Sequence, residues 1–152
     1  MMRTVYMKKL ILASAVMLVM AACESSTSSK SGLTCNVTRG SNSVKIVESM
    51  MGGAYYYEST VTVKLDDDGY YYSEIVSKET VPDASDAADN CEDERKEASY
   101  YKDGSYQVQC YGNTVEVHEI SEDADLDARE EEFNRLCQIA DRAGEYYDDD
   151  WD

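Results

Sequence analysis

The sequence predicts an α+β fold: an antiparallel sheet carrying two helices on one face, with disulfides stapling the layers together. Three observations lead there. Apolar and polar residues alternate with period two through six short runs, the pattern of half-buried strands. Tight connections join several of these runs: Arg39-Gly40-Ser41-Asn42, Asp66-Asp67-Asp68-Gly69 and Gly112-Asn113 leave no room for a parallel crossover. Two further segments carry small and apolar residues at helical spacing, which gives the order β-β-β-β-α-β-β-α.

In the first run Leu33, Cys35 and Val37 alternate with Thr34, Asn36 and Thr38. Residues 43–51 form the second strand, with Val44 and Ile46 on one side, and Gly52-Gly53 break it. Residues 54–65 make the clearest strand. Tyr57, Ser59, Val61, Val63 and Leu65 share one face, and Tyr56, Glu58, Thr60, Thr62 and Lys64 share the other. Asp68-Gly69 turns the chain into residues 70–78, because glycine supplies the positive φ such a turn needs. The acidic run there reads as a turn, since it lacks the alternating oxygen ligands and closing Glu of a calcium loop.

Pro82 closes that hairpin, and residues 83–101 follow as a helix with Ala87, Ala88, Cys91 and Ala98 on a small-residue face. After Asp103-Gly104, Tyr106, Val108 and Cys110 point inward from a fifth strand, and Val115 and Val117 from a sixth. Ser121 or Asp123 caps the last helix. Its stripe is Leu126, Phe133, Leu136, Cys137, Ala140 and Ala143, and Gly144 is placed to end it. Residues 145–152 then form an acidic-aromatic tail, expected to be weakly ordered.

The chain divides into residues 1–22, 23–32, a single domain over 33–144, and the tail. Arg3, Lys8 and Lys9 precede an uncharged stretch from Leu10 to Ala22, with Met7 a second possible start. This is the length of a signal-peptide apolar region and falls short of the roughly 20 apolar residues of a membrane span. It ends in Met20-Ala21-Ala22-Cys23, and a Ser-rich tether follows as far as Gly32. With 31 acidic residues against 14 basic, the formal charge is −17, which excludes nucleic acid as a partner. Removing the first 22 residues leaves 130 and takes the charge to −20. Anionic headgroups repel such a domain, so a lipid must hold it against its charge.

Leu, Ile, Val and Phe make up 19 of those 130 residues, few for a packed core. Twelve tyrosines supply apolar area in their place, and four cysteines besides Cys23 supply two disulfides. From Lys102 back to Cys91 the helix rises about 16 Å, and from Ser105 forward to Cys110 the strand also covers about 16 Å. The two cysteines come level, so the expected bridges are Cys91–Cys110 and Cys35–Cys137.

The run Met20-Ala21-Ala22-Cys23 resembles the lipobox of bacterial lipoproteins. The resemblance implies cleavage before Cys23, palmitate-type lipid on that cysteine, and a place on the cell membrane or outer membrane. The domain itself, with Leu33-Thr34-Cys35, Val108-Gln109-Cys110 and a helix bearing Cys91, is similar to the YehR-like group of small bacterial lipoproteins. That likeness implies the fold and the envelope location and carries no activity.

Few residues point to chemistry. His118 falls on the polar face of the sixth strand, between Glu116 and Glu119, where a solvated role is expected. Ser and Asp abound, yet no Gly-x-Ser-x-Gly elbow positions a nucleophile. Asn36-Val37-Thr38 matches a glycosylation triplet, read here as accidental. No cofactor and no metal is read. Tyrosines come in runs, and a run in a strand must send members to both faces, so Tyr56, Tyr70, Tyr71 and Tyr72 are the candidate binding face. The function expected is a non-catalytic envelope lipoprotein with a structural or accessory role. A module binding polysaccharide or an envelope protein through the tyrosines is the alternative, and a hydrolase built on His118 the weaker one.

Overall fold

A computed structural model describes residues 32–148. Residues 1–22, Cys23, the tether up to Ser31 and residues 149–152 lie outside them. Within them the fold is α+β. The elements are β1 (Thr34–Arg39), β2 (Ser43–Met50), a single 3₁₀ turn (Met51–Gly53), β3 (Tyr55–Leu65), β4 (Tyr71–Thr80), α1 (Ala84–Ala98), β5 (Tyr106–Tyr111), β6 (Thr114–Ser121) and α2 (Leu126–Asp148). The six strands form one sheet in the order β1-β2-β3-β4-β6-β5, antiparallel at every pairing.

Period two sets what is buried. Val44, Ile46, Glu48 and Met50 of β2 face the helices, opposite Val61, Ser59, Tyr57 and Tyr55 of β3. Against this face α1 packs over β5 and β6, while α2 packs over β1 and β2. Ala87 and Cys91 fill the first contact, and Leu126, Phe133 and Ala140 the second. Each helix is also bonded covalently to the sheet. Cys91–Cys110 joins α1 to β5 with Cα atoms 6.1 Å apart, and Cys35–Cys137 joins β1 to α2 at 5.4 Å. Both pairings are those the sequence predicts.

Five expectations at the helices need correction. Asp83 caps α1, its carboxylate accepting from the Ser85 and Asp86 amides at 2.7 and 3.4 Å. The helix stops at Ala98, with Tyr100 and Tyr101 in the turn beyond. Its inner face runs through Ala87, Asn90, Cys91 and Glu94, and Ala88, a hundred degrees round from Ala87, is exposed. The cap of α2 is Asp125, whose Oδ1 accepts from the Ala128 amide at 3.0 Å, rather than Ser121 or Asp123. Those two make successive local turns, Ser121 Oγ accepting from the Asp123 amide and Asp123 Oδ1 from the Asp125 amide. Lastly, α2 runs through Gly144 to Asp148. A helical interior glycine costs only about 1 kcal/mol, which does not end a helix.

Candidate functional site

Side chains of several strands converge on the face of the sheet turned away from the helices. Strand register places its residues in rows across the sheet. One row reads Tyr56 on β3, Thr80 on β4, Thr114 on β6 and Tyr111 on β5. Three strand spacings separate the tyrosines, about 14 Å. Between them the Thr80 and Thr114 hydroxyls share a hydrogen bond at 2.9 Å.

The next row holds Glu58, Lys78 and Glu116. The two rows are tied together at both ends. Tyr56 donates its hydroxyl to Glu58 Oε2 at 2.7 Å, and Tyr111 donates to Glu116 Oε2 at 3.0 Å. Lys45 completes the left side, its Nζ 2.8 Å from Glu58. The lysine hydrogen bond, then that of Tyr56, holds the Glu58 carboxyl below the usual range. Each phenol is thus fixed through its oxygen to a glutamate of the next row, Tyr56 along its own strand and Tyr111 across to β6.

At the other end of the face Glu74 bonds Lys64 and lies 2.9 Å from His118 Nε2. The Lys64 contact leads in drawing the Glu74 carboxyl down. Val76 and Ile120, 39% and 48% exposed, add apolar surface on either side of His118. All three strand lysines, Lys45, Lys64 and Lys78, are on this face, against three glutamates, Glu58, Glu74 and Glu116. In a chain of charge −17, the open face is therefore balanced.

Of the predicted tyrosines, Tyr56 and Tyr72 are on this face, Tyr72 opposite Lys64. Tyr70 and Tyr71 are not. Tyr70 is in the turn, its amide held 2.7 Å from Asp66 Oδ1. Tyr71 pairs with Leu65 on the helix side, beyond the reach of the helices, and is 67% exposed. Consecutive strand residues cannot share a face, so the run of three splits. His118 has Glu116 on its own face as expected, but Glu119 turns to the helix side opposite Tyr106. Tyr111 is the member sequence reading missed. It ends β5, out of phase with the inward Tyr106, Val108 and Cys110, and that phase was its signal.

A second cluster is buried on the helix side of the sheet. Glu48, 5% exposed, lies on the apolar side of β2, and burial raises its carboxyl. Its Oε1 is 3.4 Å from Cys35 Sγ, a disulfide sulfur with no proton to donate. Glu79 hydrogen-bonds Tyr55 and accepts from Asn90 at 3.1 Å. Burial, reinforced by the neighbouring Glu94, pushes its carboxyl up to about 7. Tyr106 donates to Glu94, and burial raises the phenols of Tyr55, Tyr57 and Tyr106. Parity signalled Glu48, since it falls in step with Val44 and Ile46. Glu79 was hidden because β4 extends past residue 78 to Thr80.

Among the described residues no helix is long and apolar enough to cross a membrane. Compared with known proteins, the chain matches no family model, no curated protein and no solved structure.

Proposed function

We propose that this chain is a bacterial envelope lipoprotein, held on a membrane by lipid on Cys23, whose folded domain has a non-catalytic, accessory role. The observation that carries the reading is the cysteine count. Two bridges occupy Cys35, Cys91, Cys110 and Cys137, so Cys23 has no cysteine left to pair with in its own chain. An unpaired cysteine in a disulfide-bearing chain needs another use, and the Met20-Ala21-Ala22 run before it and the Ser-rich stretch after it suit lipidation. Disulfides also fit an oxidising compartment outside the cytoplasm. The accessory role is supported by the open face. Its carboxylates are engaged, Glu58 by Lys45 and Tyr56 and Glu74 by Lys64 and His118, an arrangement suited to contact rather than proton transfer.

The test is fractionation of cells expressing the full chain. Wild type is expected in the membrane fraction, released by detergent and not by salt. Cys23→Ser is expected to be exported, folded and soluble. Membrane retention of the variant equal to wild type overturns the reading.

A further inference from the structure

We infer that the open sheet face binds an uncharged polysaccharide, laid across the strands along the row from Tyr56 to Tyr111. The inference goes beyond lipid anchoring and does not depend on it.

Charge selects the class of ligand. The domain is strongly acidic, so an anionic polymer is repelled by its net field as it approaches. A cationic partner would be drawn to the acidic helices rather than to the one face where lysines and glutamates balance. A neutral polymer loses nothing to the field of the molecule.

The shape and chemistry of the row narrow the choice to sugar. A glycan presents apolar ring faces and a fringe of hydroxyls. Two tyrosines rooted three strands apart, about 14 Å at the backbone, offer two stacking positions within the reach of a short oligosaccharide. Between them the Thr80–Thr114 pair supplies hydroxyls at the floor. Alongside run Glu58, Lys78 and Glu116, charged groups that accept from or donate to sugar hydroxyls. The ligand finds this surface already arranged. The Tyr56 and Tyr111 phenols are tethered to Glu58 and Glu116 before anything binds, so little ring freedom is lost on binding. A row that crosses four strands suits the internal residues of a long chain rather than a chain end.

The test is electrophoresis of the full chain, solubilised in a polyoxyethylene detergent that carries no sugar. Native gels are cast with dextran, a soluble β-glucan or galactomannan, and with alginate as the anionic control. Retardation by at least one neutral polymer and none by alginate is expected. Tyr56→Ala and Tyr111→Ala should each weaken retardation at least fivefold in apparent Kd, with unchanged circular dichroism. Tyr56→Phe and Tyr111→Phe keep the rings and guard against misfolding of the alanine variants. They should retain most of the binding. Tyr70→Ala, off the face, should bind as wild type. The inference is overturned if no neutral polymer retards the chain, if alginate alone does, or if both alanine variants bind unchanged. It is equally overturned if a photoreactive residue at position 76 joins the face to a protein while every gel is without effect.

Discussion

Glu79 is a carboxyl group placed where a carboxylate is costly. In the unfolded chain it ionises near 4.5, and in the fold near 7. Below the first value both states hold the proton and burial costs nothing in charge. Between the two, the unfolded chain has released a proton that the fold keeps, so stability falls as pH rises through that window and levels off above it. At about 1.4 kcal/mol per pKa unit the loss is about 3 kcal/mol, and Glu48 acts in the same direction. Urea midpoints should therefore drop between pH 5 and pH 7.5, and Glu79→Gln should flatten that slope. A wild-type midpoint constant over this range would contradict the assignment. Adjacent tyrosines offer a second contrast. Tyr55 is 2% exposed and Tyr56 faces outward. Tyr55→Ala should cost about 3–5 kcal/mol, as emptying an aromatic core site does. Tyr56→Ala should cost less than about 1 kcal/mol, and equal losses on denaturation would refute the parity that places them.

For the elements, the same physics explains what could be read from sequence and what could not. Strand faces were legible because alternation maps directly onto the two sides of a sheet. Val61 and Val63 against Thr60 and Thr62 leave one solution. Helix ends were less legible. Ser121 and Asp123 each accept from the amide two residues on, while only Asp125 is placed to receive the Ala128 amide three residues on. Composition cannot choose among them, since the choice depends on where α2 meets β1 and β2. The caps nevertheless should be measurable. Asp83→Ala and Asp125→Ala are each expected to cost about 1 kcal/mol, seen as a lower Tm, whereas Asp123→Ala should cost less than Asp125→Ala. The reverse order would return the cap to Asp123.

The whole molecule depends on pairings made far apart in the chain. The Cys91–Cys110 bridge was legible because helix rise and strand rise could be compared residue by residue, and Cys35–Cys137 followed as the remaining pair. The tyrosine row was not, since it needs the register of four strands, including the β4–β6 pairing that brackets α1. In the chain-entropy model the bridges restrain the unfolded chain by roughly 5 kcal/mol for Cys35–Cys137 and 3 kcal/mol for Cys91–Cys110. Double serine variants should follow that order in urea. A larger loss from the shorter loop would show that native packing, not chain restraint, sets their value. The longer bridge also has a mechanical meaning. β1 is an edge strand, and tension on its leading end would otherwise peel its hydrogen bonds from β2 one after another. Cys35 is the second residue of that strand, and its sulfur is bonded to a helix 102 positions further on. Force applied between the two ends of the chain therefore passes through one sulfur–sulfur bond. In a single-molecule pulling experiment the residues between Cys35 and Cys137 should add no length until a reductant is supplied.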